Sequence, residues 1–311
     1  MKWEMVGYNR VMSILGIGQS VYDIYFVVDG LPMNAKKRVS SSRKCMGGPA
    51  SCAMYLCGKW GAQVSICTRI GKDAFGQEIE NTLKSVNVCT DYMFIDENDS
   101  TSISGILVDQ KNGNRSILNI PMNYLQPFPK KLPESCDVLF FDGHEMELSL
   151  FAYQKYPQAI TIFDGDKYKP ETLLLLKQVD YLICSVEFAQ EITGHTMNED
   201  MYQELCAINS HHVILTMGDQ GCMYQNRIYP AYPVKVVDTT GAGDVFHGAF
   251  AYGLDQHWDI EKTIHVASAA SSLCCEGLGG VVSVPDLDDV FMRMQMNCEF
   301  YNKTCENFDN K

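Results

Sequence analysis

The chain has 311 residues, of which 46 % are hydrophobic and 20 % charged, and its formal net charge is −13. That is long and apolar enough for one large α/β domain with a sizeable core. The acid excess argues against nucleic-acid or anionic-membrane partners, which rest on Lys/Arg patches. The 13 cysteines are scattered, with no C-x-x-C pair. Such an odd, irregular set reads as reduced thiols, neither a disulfide framework nor a zinc site. The start lacks an apolar h-region, and no run of about 18 apolar residues occurs. No signal peptide or transmembrane helix is expected, and the expected location is the cytoplasm.

In chain order, Val11 to Ile17 reads as a short strand ending in Gly16-Ile17-Gly18. Val21 to Gly30 is aromatic and β-branched, a second strand. Leu31 to Ser42 is polar and basic. Gly47-Gly48-Pro49-Ala50 is a turn feeding a helix from about Ala50 to Lys59. Val64 to Arg69 is a strand, and a helix follows to about Ser85. Thr101 to Val108 and Arg115 to Ile120 form a hairpin about the turn Gln110 to Asn114. Beyond Asp137 strands and helices alternate, with buried strands at Val138–Phe141, Ala159–Phe163, Tyr181–Cys184 and Val213–Thr216. This predicts a three-layer α/β/α fold around a mostly parallel sheet, a single domain over 1–311. The β segments near 19–45 and 99–120 interrupt the alternation. They read as a small lid over the sheet's carboxyl edge, where open α/β sheets bind ligands. The lid is also the expected face of a homodimer.

Val236-Val237-Asp238-Thr239-Thr240-Gly241-Ala242-Gly243-Asp244-Val245-Phe246-His247-Gly248 carries the most chemistry. It reads as a strand, Val234 to Val237, ending in a glycine turn that opens a helix. A helix start presents unpaired N–H groups and a positive dipole end, which together suit a phosphate. Asp244 adds a carboxylate in the same turn. An anion hole beside a base is what phosphorylation of a hydroxyl needs. A glycine turn with an acidic first-turn residue is also an ordinary helix start, so the string alone leaves both readings open.

The whole string resembles the C-terminal signature of the ribokinase-like superfamily, the phosphofructokinase-B-type sugar kinases. Gly47-Gly48-Pro49-Ala50-Ser51-Cys52-Ala53, Trp60-Gly61-Ala62 and Arg69-Ile70-Gly71-Lys72-Asp73-Ala74-Phe75-Gly76 resemble its N-terminal signature. The resemblance covers roughly residues 12 to 290. It implies an ATP- and Mg²⁺-dependent carbohydrate kinase in which Asp244 is the general base and Gly241, Ala242 and Gly243 form the anion hole. Asp23, Gly47 and Gly48 fall at its sugar-binding positions. Thr216, Gly218 and Gly221, in Thr216-Met217-Gly218-Asp219-Gln220-Gly221, fall on its nucleotide side. Its Asn-x-x-Glu motif is altered here: Ser185 stands for Asn and Phe188 for Glu, with Glu187 as the neighbouring carboxylate for Mg²⁺. Asp238 and the loop near Gly277 to Pro285 match a region that often surrounds a monovalent cation such as K⁺.

Within the superfamily the chain looks most like the sulfofructose-kinase and ketohexokinase-like branch. There Lys37 and Asn119 match two sulfonate-holding positions, and His144 stands at the Arg position. An imidazole in place of a guanidinium favours a neutral ketose or related sugar. An anionic sugar, a nucleoside, or non-catalytic binding of sugar or nucleotide are the other readings of the same fold.

Overall fold

The computed structural model describes residues 13–30, 34, 36–39, 41–110, 115–196 and 199–296. Its main sheet has eight strands. In spatial order they are Gln63–Cys67, Ser13–Ile17, Val138–Phe141, Ile160–Gly165, Tyr181–Ser185 and His212–Thr216, all parallel. An antiparallel hairpin, Cys222–Tyr224 and Arg227–Tyr229, completes the edge.

The strands are apolar throughout because both faces are covered, and successive side chains alternate between two cores. Ile14, Val138, Phe140, Ile162, Ile183 and Ile214 face the first core. There they meet Ala53 and Leu56 of the helix Pro49–Lys59, Val245 and Phe250 of Ala242–Asp255, and Ala267 of Ile260–Cys274. Leu15, Ile17, Leu139, Phe141, Leu182 and Leu215 face the second. That side is covered by Met146–Lys155, Val186–Thr193 and Glu199–Ile208. The layers are therefore helix, sheet, helix, as the alternation of elements implies.

A separate four-stranded sheet is ordered Ser41–Gly47, Val21–Val28, Ile103–Asp109, Arg115–Ile120. It gathers the segments that interrupt the alternation. The strand Ser41–Gly47 is a finding, since its polar half, Ser41 to Lys44, is exposed and lacks an apolar signature. The turn at 111–114, the N-terminal part of the predicted strand from Val11 and the tail from Asn297 lie outside the described residues.

One expectation fails. Val234 to Val237 is not a strand. The Val237 and Asp238 amides donate to the Cys275 carbonyl, at 2.8 and 3.3 Å, and not to a sheet neighbour. The edge of the strand His212–Thr216 is occupied by the 222–229 hairpin. Val236 and Val237 stay exposed.

Candidate active site

The parallel strands all end on one side, and the candidate residues ring that edge. At its centre is the turn into the helix Ala242–Asp255. Gly241 has φ 80°, and a Cβ there would come within 2.6 Å of Gly280 Cα. Only glycine permits both the left-handed backbone and that approach. Asp238, buried, holds the turn: Oδ1 accepts from the Thr240 amide at 3.0 Å and its hydroxyl at 2.7 Å. Oδ2 accepts from the Gly279 amide at 3.0 Å. The helix has no side-chain cap. The Ala242 amide reaches the Thr239 carbonyl at 3.3 Å. The amides of Gly241, Gly243 and Asp244 have no hydrogen-bond partner among the described residues.

Asp244 is walled in by protein yet still reaches solvent. Burial pushes its carboxyl up to about 7, and the nearby Asp166 and Asp142 charges add to the rise. Arg115 and a hydrogen bond from Cys52 oppose it. Arg115 reaches over from the second sheet and donates from Nη1 to Thr239 Oγ1.

The second sheet brings a polyhydroxyl-compatible cluster to the same side. The Asp23 carboxylate is packed so tightly on Gly47 that a Cβ there would lie 2.0 Å from Oδ2. Tyr25 donates its hydroxyl to Asp23 Oδ2 at 3.3 Å, and the Gly280 amide donates to that hydroxyl at 3.3 Å. Burial raises the Asp23 carboxyl to about 7, opposed by hydrogen bonds from Tyr25 and Ser104 and reinforced by Asp244 and Asp238. Asn119 donates to Ser104 Oγ at 3.1 Å and Ser102 Oγ at 3.3 Å.

Asp142 and Asp164 sit at the ends of neighbouring strands. Asp142 accepts from the amides of Gln19 (2.7 Å), Ala50 (3.2 Å) and His144 (2.9 Å), and contacts His144 Nδ1 at 3.1 Å. Burial alone would raise its carboxyl, but His144 and these donors hold it below the usual carboxylate range. Asp164 is driven well above that range by burial and then by Asp244, Asp142 and Asp166. It lies 3.3 Å from His247 Nε2, whose Nδ1 is 2.7 Å from the Gly243 carbonyl.

On the far side, Ser185 Oγ caps its helix by accepting from the Phe188 amide at 3.1 Å. Thr216 donates to the Cys184 carbonyl at 3.2 Å. Gly218 faces open space at φ 60°. Gly221 has φ 92°, and a Cβ there would strike the Tyr229 carbonyl oxygen at 2.0 Å. Glu187 is exposed in the first turn after Ser185. Among the described residues no group of three or more His, Cys, Asp or Glu side chains is arranged to hold a metal.

The model of the pfkB family carbohydrate kinases matches residues 12–287. The chain belongs to that family. It is a phosphotransferase of the ribokinase type, and the curated relatives of this kinase include sugar and nucleoside kinases. The ribokinase of Lactococcus lactis is 28 % identical over 250 residues, covering 75 % of this chain and 80 % of that protein. A nucleoside kinase of Methanocaldococcus jannaschii is 23 % identical over 302 residues, covering 92 % and 98 %. The crystal structure of a putative ribokinase from Agrobacterium tumefaciens superposes with a TM-score of 0.84 at 25 % identity, covering 93 % of this kinase and 99 % of that chain. No described helix is long and apolar enough to cross a membrane.

The fold of the kinase brings Asp23, Gly47, Gly48, Asn119, His144, Asp238, Gly241, Ala242, Gly243 and Asp244 to the edge where the two sheets meet. Lys37 is exposed, and its Nζ donates to the Gly30 carbonyl at 3.2 Å, two residues past the end of the strand Val21–Val28. Sequence reasoning missed Asp142, Asp164, Asp166 and Arg115 as site residues. A signal existed for the acids: carboxylates directly at the carboxyl ends of apolar strands, Phe141-Asp142 and Phe163-Asp164-Gly165-Asp166. For Arg115 there was none, since its destination lies 124 residues away in sequence.

Proposed function

We propose that this kinase transfers the γ-phosphoryl group of ATP to a hydroxyl of a neutral sugar, a ketohexose or a pentose. The observation that carries the reading is Asp244, with its carboxyl pushed up to about 7, in the first turn of a helix whose leading amides are open. A base with that affinity for a proton suits removal of a hydroxyl proton near neutrality. The acceptor oxygen gives its proton to the Asp244 carboxylate and bonds to the γ-phosphorus. The bond from that phosphorus to the β-bridging oxygen breaks, and its electron pair leaves with ADP. The amides of Gly241, Gly243 and Asp244 point charge-stabilising dipoles where phosphoryl charge develops.

Asp23, Asn119 and Ser104 support a hydroxyl-bearing acceptor, because a carboxylate, an amide and a hydroxyl each pair with alcohols. Thr216, Gly218 and Gly221 support the nucleotide side, since Gly218 leaves open space beside the strand end. Carboxylates of Asp166 and Glu187 are hard oxygen donors that would share Mg²⁺ with phosphates and water. When bound there, the ion screens phosphate charge. The loop closed by Asp238 onto Gly279 is the proposed place for a K⁺-type cation; activity in K⁺ against a large organic cation checks it. The four-stranded sheet is the proposed lid. Its outer strand exposes Leu118 and Ile120 on the face opposite Arg115 and Asn119, which supports a homodimer through that face, tested by sedimentation at micromolar concentration.

The deciding experiment is a coupled ADP-release screen of neutral pentoses, ketohexoses, sulfonated and phosphorylated sugars, and nucleosides. A neutral sugar should lead. A preference of about tenfold or more in kcat/KM for an anionic sugar would overturn the acceptor assignment. No ADP release with any acceptor would overturn the kinase reading in favour of a binding role.

A further inference from the structure

Each open amide of the turn belongs to a peptide unit with a carbonyl on its other side. The unit is planar, so its C=O and N–H point in opposite directions. The Gly243 N–H shares a unit with the Ala242 carbonyl, and the Asp244 N–H shares one with the Gly243 carbonyl. Both carbonyls are held by side chains. Ser271 Oγ, on the helix Ile260–Cys274, donates to the Ala242 carbonyl at 2.8 Å. His247 Nδ1, one turn along the helix Ala242–Asp255, is 2.7 Å from the Gly243 carbonyl. Two consecutive units with open N–H groups are thus gripped from behind, one from its own helix and one from the neighbouring helix.

The surroundings of the ring fix its role. A carbonyl only accepts, so at 2.7 Å Nδ1 must carry a proton. His247 is buried, and its Nε2 lies 3.2 Å from the Ile183 carbonyl and 3.3 Å from Asp164 Oδ1. Burial lowers the ring's affinity for a second proton and raises that of the Asp164 carboxyl. Nε2 and Asp164 therefore share one further proton, and the pair carries no net charge to repel a phosphate. Asp164 belongs to the strand Ile160–Gly165, so the ring is pinned between the main sheet and the turn.

The helix ladder uses one lone pair of each gripped carbonyl and leaves the other for the side chain. A second donor on a peptide oxygen polarises the unit and strengthens what its N–H donates, since linked hydrogen bonds reinforce one another. It also keeps the unit from tilting when charge arrives in front. A dipole that need not reorganise is worth most in the transition state.

We propose that His247 and Ser271 are positioning residues that clamp and polarise the peptide units of the Gly243 and Asp244 amides, so that these amides meet the phosphoryl group in transit without rearranging. The proposal rests on the kinase reading above. Neither side chain touches substrate, and neither gives up a proton.

The test uses the full chain with Ser271→Ala, His247→Phe and His247→Asn. Asn carries its amide nitrogen at the branch where His carries Nδ1, and so keeps a donor for the Gly243 carbonyl. Phe keeps a ring and loses the donor. Turnover is measured on the best neutral sugar. Calorimetry compares MgADP alone with MgADP plus fluoroaluminate, a mimic of the phosphoryl group in transit. Ser271→Ala should lower kcat about tenfold and His247→Phe roughly 30-fold, with the sugar KM and MgADP affinity held within about twofold. The gain in binding from fluoroaluminate should shrink by similar factors, and His247→Asn should recover most of the His247→Phe loss. Turnover within about threefold of wild type would overturn the assignment for the residue concerned. So would a loss of MgADP affinity as large as the loss of kcat, or a His247→Asn variant no better than His247→Phe, since each marks packing and not polarisation. If His247→Phe does not bind MgADP, Ser271→Ala and His247→Asn decide. A wild type that phosphorylates nothing in the screen fails the kinase reading by itself, while the fluoroaluminate-against-MgADP comparison still decides the clamp.

Discussion

Two glycine turns open two helices onto the same edge of the molecule, and they are finished differently. At Gly47-Gly48-Pro49 the helix Pro49–Lys59 begins with a residue that has no N–H, and the Ala50 amide is taken by Asp142 at 3.2 Å. At Gly241-Ala242-Gly243 the leading amides are left open and an acid stands in the first turn. Two further helices, Ala74–Ser85 and Ile260–Cys274, carry side-chain caps: Asp73 and Asp259 accept from the Gly76 and Lys262 amides at 2.9 and 2.8 Å. The two helices also touch backbone to backbone, since a Cβ on Gly248 would come within 2.7 Å of the Ala53 carbonyl. A helix start can offer its donors to an anion only where no group of the protein claims them. Position alone does not decide it.

The largest effect should come from the open turn. Asp244→Asn keeps the shape and removes the base, so kcat should fall on the order of 10²–10⁴ with ATP affinity little changed. Coupled ADP release and calorimetry check it, and a variant within about threefold of wild type would show that the two helix starts differ in no chemical sense.

Next comes the turn itself. Gly241→Ala forces a Cβ toward Gly280 Cα from a left-handed backbone, 2.6 Å away. The amides must shift, which should cost about 10²-fold in kcat and about 1–2 kcal/mol in stability. Thermal melts and turnover together read both. The matching glycine beside the closed turn should behave differently: Gly47→Ala displaces the Asp23 carboxylate, so KM for the sugar should rise more than kcat falls.

The acids give a pH signature of about tenfold per unit. Asp244 works as a base only when ionised, and its carboxyl lies near 7. kcat/KM should therefore climb about tenfold per unit from pH 5 toward 7 and level off by about pH 8. The sign for stability is opposite. An acid whose folded value is raised stabilises the fold below its unfolded value near 4, and that stabilisation is lost as pH rises through about 7. Asp244→Asn should thus melt higher than wild type at pH 8, with the gap closing near pH 4. A constant gap would indicate a packing effect.

The smallest effect belongs to the closed turn. Asp142→Asn places an amide group against backbone N–H donors that now meet a carboxylate. It should cost about 1–3 kcal/mol of stability, read from a denaturant midpoint, with kcat changed far less than by Asp244→Asn.

Much of this was legible in the sequence because it is local. The buried strands alternate between two cores in period two, and the turn from Asp238 to Asp244 lies within one string. What was not legible is assembled across the sheet. Asp142, Asp164 and Asp166 come from adjacent strand ends, and no local pattern says that they face Asp244. Arg115 comes from another sheet altogether. Reading His144 as the missing arginine's replacement left the cation at Arg115 unnoticed. Val234 to Val237 misled for a related reason: a β-branched run signals an extended chain, and whether a sheet edge is free to receive it is decided elsewhere.

The strand Ser13–Ile17 lies between Gln63–Cys67 and Val138–Phe141, and that placement governs how the chain can fold while it is being made. This strand has both neighbours only once residue 141 has emerged. The helix Pro49–Lys59 waits longer, because Ala53 and Cys57 are covered by a helix that ends at Asp255. Through most of synthesis its apolar face stays uncovered. Such late, long-range closure is slow and exposes nascent chains to aggregation. Arrested chains ending before residue 242 should accordingly recruit chaperones, and those extending past 274 should release them.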